Sequence, residues 1–172
     1  MPIRAVLFGL ALVGLVPAVA EAADVLHMQP AGAYNPAAFN FNGFYLGAQG
    51  GALVSGYSGG SLGVVAGANF NVYDPVVLGI EFEGDYIPGS GGASYDFYIL
   101  GRGGVVITND LMAYGEIGPG WLGSQSSFAV GVGAEYAITD QLSIKGEVQR
   151  LSTFGSTPGA TRVQAGLLFH IQ

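Results

Sequence analysis

The sequence predicts an all-β fold, an eight-stranded antiparallel up-and-down transmembrane β-barrel. Three observations predict it. Half of the 172 residues are hydrophobic and only 10% are charged. Past the first residues, no apolar stretch reaches the roughly 20 residues that a spanning helix needs. From residue 43 onward, apolar residues alternate with period two in segments separated by turn chemistry. Backbone groups in lipid must be satisfied within the protein, and without helices a closed barrel does this.

The first residues stand apart. Met1 to Arg4 is a short basic start, Ala5 to Val16 is an apolar run, and Pro17 precedes Ala18-Val19-Ala20 and Ala20-Glu21-Ala22. That is the layout of a secretory signal peptide over 1–22, with two overlapping small-x-small cleavage sites. The run is too short for a spanning helix, and Pro17 interrupts it. Residues 23–42, rich in Ala, Pro and Asn, read as a flexible periplasmic lead-in. Residues 43–172 are left as the barrel. Cysteine is absent, so an exported chain of this size is held by its own packing or by a membrane. The net charge of −7, with no basic patch, excludes nucleic acid as a natural partner.

The predicted strands are 43–54, 61–72, 76–87, 94–107, 111–122, 127–138, 141–152 and 160–171. An even number lets an antiparallel meander close without leaving an edge. Three separators are tight: Tyr73-Asp74-Pro75, Thr108-Asn109-Asp110 and Thr139-Asp140. The others, at 55–60, 88–93, 123–126 and 153–159, are Gly/Ser-rich and longer, so short turns alternate with longer loops. Termini and short turns then share the periplasmic end. Pro119 fits the fifth strand badly, since a closed barrel has no spare edge, and predicts a bulge or early fraying there.

Period-two parity sorts the faces. One carries Phe44, Leu46 and Ala48; Leu62, Val64, Ala66, Ala68 and Phe70; Leu78, Ile80 and Phe82; and Leu142, Ile144 and Val148. The other carries Gln49, Asn69, Asn71, Glu81, Glu83, Asp85, Arg102, Glu116, Glu135, Lys145, Glu147 and Arg162, interspersed with glycines. Glycines on the charged face suit a narrow interior crowded by a few large polar groups, so the apolar face is assigned to lipid. Aromatics near strand ends support this, with Tyr86, Phe97, Trp121 and Phe128 in one girdle and Phe44, Phe70, Tyr136 and Phe169 in the other.

The inner face predicts an ion-pair network of Glu81, Glu83, Asp85, Arg102, Glu116, Glu135, Lys145, Glu147 and Arg162. A turn centred on Asn109 sets Arg102 opposite Glu116, and one centred on Asp140 sets Lys145 opposite Glu135, at salt-bridge distance. Glu81 and Glu147 then compete for Arg102, Lys145 and Arg162. On the outer face, Arg150 shares the parity of Ile144 and Val148 and reaches the outer interface, where a guanidinium meets lipid phosphate.

No enzyme is expected. His27 and His170 are the two histidines, and neither neighbours a serine in the chain in a recognisable arrangement. Scarce His and absent Cys give no transition-metal site, and the acidic third strand reads as lumen wall rather than a Ca²⁺ ligand set. No cofactor is expected. Side chains fill an eight-stranded interior, which leaves a structural or interaction role, with a small low-conductance channel as the alternative.

Phe41-Asn42-Gly43-Phe44-Tyr45-Leu46-Gly47 resembles the opening strand of the outer-membrane β-barrel domain family, which includes OmpA/OmpX-like barrels and opacity-type surface proteins. Gly79-Ile80-Glu81-Phe82-Glu83-Gly84-Asp85-Tyr86 is similar to that family's acidic third strand. Gly131-Val132-Gly133-Ala134-Glu135-Tyr136-Ala137-Ile138-Thr139-Asp140 resembles its sixth strand and turn, and Arg162-Val163-Gln164-Ala165-Gly166-Leu167-Leu168-Phe169 its closing strand. The resemblance implies the outer membrane of a Gram-negative bacterium. It also implies insertion by the barrel-assembly machinery and contact with outer-membrane lipids, including lipopolysaccharide. The family ends on a terminal aromatic, whereas here Phe169-His170-Ile171-Gln172 places the aromatic inside the last strand. No protein partner is legible.

Overall fold

The computed structural model describes residues 39–55, 59–88, 93–154 and 159–171. The predicted signal peptide at 1–22, and the predicted lead-in as far as residue 38, lie outside them. Eight strands follow in order: β1 (Gly43–Ser55), β2 (Gly59–Tyr73), β3 (Val76–Ile87), β4 (Ser94–Thr108), β5 (Leu111–Leu122), β6 (Gln125–Ala137), β7 (Leu142–Thr153) and β8 (Ala160–Ile171). Each pairs antiparallel with the next, and β8 returns to β1 to close the barrel. Closure gives every strand two partners and leaves no edge exposed.

Two connections differ from the expected asymmetry. β5 and β6 are joined by Gly123 and Ser124 alone, although Gly123–Ser126 reads as a longer loop. Gly123 takes φ +62°, a left-handed conformation that glycine adopts without a Cβ penalty, and its N–H donates to Tyr95 O at 2.9 Å. The chain reverses at once, and the polar run Gln125-Ser126-Ser127 becomes strand. At the other end, β6 to β7 takes residues 138–141. There Thr139 Oγ1 accepts the N–H of Gln141 at 3.3 Å and of Leu142 at 3.0 Å.

Pro119 makes no bulge. The β4–β5 ladder skips from Tyr98↔Gly120 to Gly101↔Ile117 with its register unchanged. A proline has no N–H to give, so a bond is lost while the backbone stays in line. The register shifts lie at Leu53/Ser55, Asn71/Tyr73 and Val106/Thr108, close to strand ends. The second of these accompanies Asn71, which parity assigns to the inner face. It stands exposed at the rim, its N–H on Asn42 Oδ1 at 3.2 Å.

The barrel is inside-out relative to a water-soluble fold. Phe44, Leu62 and Val132 are 65%, 69% and 66% exposed, whereas Glu81, Glu83 and Arg162 are 0% exposed. Inward glycines make room for the large polar groups. A Cβ on Gly133 would lie 2.6 Å from the Tyr114 phenol, whereas on outward Gly146 it would meet nothing within 4 Å.

Apolar clusters lie at the two ends of the bore. At the end with the termini, Phe41 is buried with Val77, Met112 and Tyr114, and Phe39 and Val106 pack against them. The Phe39 N–H donates to Asn109 O at 2.9 Å, and its ring meets His170 edge-on at 4.8 Å. The last residues of the predicted flexible lead-in are therefore folded into the mouth, because their aromatic rings have an apolar site to fill. Towards the loop end, Leu53, Tyr98, Leu100, Leu122 and Leu151 form a second cluster with Ala129 and Ala160.

Candidate functional site

Between these clusters the lumen is a continuous polar network. It starts beside Phe39, where His170 Nε2 lies 2.9 Å from Glu135 Oε1 and Ser143 Oγ donates to the same oxygen at 2.7 Å. Arg102 Nη2 reaches Glu135 Oε2 at 2.7 Å, while its Nη1 donates to the Tyr45 hydroxyl at 3.0 Å and to Glu81 at 3.3 Å. The Tyr45 hydroxyl in turn donates to Glu81. Lys145 Nζ joins Glu81 at 2.7 Å, Glu83 at 3.1 Å and Glu147 at 3.2 Å. Arg162 completes the series with Nη2 on Glu83 at 2.6 Å and Nη1 on Asp85 at 2.7 Å and Asp96 at 3.0 Å.

Acidic groups outnumber cations here. Glu81, Glu83, Asp85, Asp96, Glu116, Glu135 and Glu147 are buried against Arg102, Lys145 and Arg162. A lone charge in such a place is costly, so each cation is shared among several carboxylates and neutral amides take up further oxygens. Gln149 donates to Glu83 at 3.0 Å and Glu116 at 2.6 Å, and Gln164 to Glu83 at 2.9 Å and to Glu147.

All nine residues of the predicted network lie in this lumen, but two expected pairings do not form. Arg102 does stand opposite Glu116 in the ladder, and Lys145 opposite Glu135. The Arg102 guanidinium instead lies 3.6 Å from the Tyr114 ring centroid and turns away from Glu116, to Glu81 on the neighbouring β3 and to Glu135 on β6, two strands away. Glu116 makes no ion pair among the described residues and takes Gln149 as its partner. Lys145 is drawn to the third-strand acids, leaving Glu135 to Arg102, Ser143 and His170. Adjacent strands fix where side chains start, while a narrow bore lets long ones finish on the far wall.

The oxygens of Glu81, Glu83 and Glu147 come within 4.8 Å of one another, a spacing that could hold a metal ion. Lys145 Nζ bonds all three, so the ammonium supplies the positive charge there.

Ser143, His170 and Glu135 come together in space, although no serine neighbours His170 in the chain. Their order differs from a catalytic triad, in which the acid holds one ring nitrogen and the serine the other. Here both Glu135 and Ser143 sit on Nε2, Ser143 at 3.0 Å, and all three residues are buried. The serine has neither a correctly oriented base nor access to a substrate. His27 lies outside the described residues.

Gln49, which parity assigns to the inner face, and His170 belong to the network, together with Tyr45, Asp96, Tyr114, Ser143, Gln149 and Gln164, which the charge pattern does not mark. Parity would have found them. Gln149 alternates with Lys145 and Glu147, Asp96 with Arg102, and Tyr114 with Glu116.

On the outer surface, Phe44, Phe70, Tyr136 and Phe169 are exposed towards the terminal end, and Tyr86, Phe97 and Trp121 towards the loop end. Phe128 is half-buried and Arg150 exposed. Tyr86 packs on Tyr95 at 5.4 Å, and Phe97 stacks on Trp121 at 6.3 Å.

The sequence matches no family model and no curated protein. Solved structures do match. A transmembrane β-barrel designed de novo has a TM-score of 0.53 at 16% identity, covering 77% of this chain and 99% of that one. The attachment invasion locus protein Ail of Yersinia pestis has a TM-score of 0.51 at 15% identity, covering 74% and 99%. Neisserial surface protein A has a TM-score of 0.50 at 13% identity, covering 76% and 98%. At these identities the likeness is one of fold, and the fold this chain has is the closed eight-stranded antiparallel barrel of transmembrane β-barrels.

Proposed function

We propose that the protein is a structural, non-conducting barrel of the outer membrane of a Gram-negative bacterium. Its apolar belt sits in lipid, with lipopolysaccharide at its outer edge, and its loop end is presented for surface contacts. The termini and the short turns face the periplasm. One observation carries the reading. A water-filled bore would leave its lining side chains wetted, yet Tyr98, Glu81, Glu83, Gln149 and Arg162 are all 0% exposed. The lumen is spent on internal bonds, and the large apolar side chains are spent on the outside, where only lipid makes that arrangement favourable.

Purified barrel in a planar lipid bilayer tests this, with a flat current trace as the expected result. Steady single-channel steps would replace it with the low-conductance channel. Heat-modifiable electrophoretic mobility and sedimentation with outer membranes are expected alongside. Fractionation with soluble periplasmic proteins would remove the membrane assignment.

A further inference from the structure

Of the lysines and arginines among the described residues, Arg102, Lys145 and Arg162 point into the lumen and Arg150 alone points out. Its surroundings are ordered. Arg150 lies opposite Thr161 in the β7–β8 ladder, and Thr161 opposite Ser55 in the β8–β1 ladder. Arg150 Nη1 donates to Thr161 Oγ1 at 3.1 Å and Ser55 Oγ at 3.3 Å, and Ser55 Oγ donates to Thr161 Oγ1 at 3.0 Å. Three consecutive strands thus fix one cation and two hydroxyls.

The cluster marks a boundary. Along β7 the outward residues are Ile144, Gly146 and Val148, then Arg150 and Ser152. Along β8 they are Phe169, Leu167, Ala165 and Val163, then Thr161. From Phe169 to Thr161 is about 26 Å of strand, which a barrel tilt of roughly 40° reduces to about 20 Å. That is close to the apolar band of about 25 Å expected for such barrels, so Arg150 stands at its loop-side edge. No carboxylate pairs with it among the described residues. The acids lie in the lumen or, as Asp74, Asp110 and Asp140, at the turns of the opposite end. An exposed arginine held at the lipid edge without an acidic partner meets the anion of that layer.

We propose that Arg150, Ser55 and Thr161 bind the phosphate of a lipid headgroup in the leaflet at the loop end. The proposal rests on the membrane reading above. The protein is folded in dodecyl maltoside, an uncharged detergent without phosphate, and heat-modifiable mobility is scored first. It is then incubated with lipid A or with the same lipid stripped of its phosphates, and the lipid that co-elutes is measured. Wild type is expected to retain lipid A about fivefold better than the stripped lipid, the scale of one cation at a membrane surface. Arg150→Gln should abolish that preference, and Ser55→Ala with Thr161→Val, which keeps the charge, should weaken it. Equal retention of both lipids by wild type, or an unchanged preference in Arg150→Gln, overturns the site. Displacement of the lipid by an equal concentration of inorganic phosphate overturns the headgroup as its source. A wild type that does not fold in the micelle overturns the membrane reading, and the site with it.

Discussion

Asp85 and Asp96 face each other across the β3–β4 ladder, and one nitrogen of Arg162 bonds both. Two carboxylates directly opposed on one face repel, and in a bore that excludes water the repulsion is weakly screened. Arg162 reaches them from β8, and its Nε donates to Gln149 Oε1 at 3.0 Å, so one side chain ties β8 to β3, β4 and β7. Arg162→Met is expected to destabilise the barrel by about 3–5 kcal/mol in urea unfolding, the cost of leaving buried charge unpaired. Adding Asp96→Asn should recover part of the loss. No recovery would mean that the Asp85–Asp96 repulsion is not its source.

Arg102 gives a sharper test, because ladder position and bonding disagree there. Double-mutant cycles should find Arg102→Met coupled to Glu135→Gln by about 0.5–3 kcal/mol, since the pair is broken by either change alone. Arg102→Met and Glu116→Gln, which share no direct bond, should couple less strongly than Arg102→Met and Glu135→Gln. Coupling to Glu116 instead of Glu135 would contradict that arrangement.

The inner glycines predict an asymmetry between the faces. Gly133→Ala places a methyl 2.6 Å from the Tyr114 phenol and 2.9 Å from Glu147 Cβ, disturbing the Tyr114–Glu147 bond at 2.8 Å. A loss of about 1–3 kcal/mol is expected, as for overpacking generally. Gly146→Ala, between Lys145 and Glu147 in β7 but facing outward, should stay within about 0.5 kcal/mol of wild type. Urea midpoints of the two variants, measured in one detergent, check both.

The fold was legible because period-two alternation is a backbone property. Strand pairing then fixes which residue stands opposite which, so the positions of Arg102 against Glu116 and Lys145 against Glu135 follow from turn centres. The bonds did not follow, since a long side chain in a narrow lumen chooses among several walls. Arg102 is steered by the Tyr114 ring, a feature that charge reading passes over. Asp96 and Gln149 carry the inward parity but stand outside the charge clusters, so parity rather than charge marks them. Phe39 and Phe41 lie before the alternation begins, so no pattern tied them to the barrel, and only the site between Val77, Met112 and Tyr114 gives them a place.

That site supports the last prediction. Phe41 is 2% exposed, whereas Phe44 is 65% exposed on the outer surface. The two are three residues apart, Phe41 just before β1 and Phe44 within it, so their contrast isolates the lumen from the lipid belt. Phe41 is held by more than its ring, since the Asn69 side-chain amide donates to Phe41 O at 3.2 Å. Truncating a buried phenylalanine removes its transfer energy and leaves a cavity, a loss of about 3–5 kcal/mol. Phe41→Ala should therefore lower the urea midpoint well beyond Phe44→Ala when both are measured in detergent, whose tails adapt to a smaller side chain on the surface. It should also speed amide exchange at Asn109, Met112 and Tyr114, the backbone around the mouth, while leaving the loop-end cluster at Leu53 and Leu151 protected. If Phe41→Ala behaves like Phe44→Ala in both measurements, then the segment 39–42 does not close the mouth, and the lead-in is mobile up to the first strand as its composition suggests.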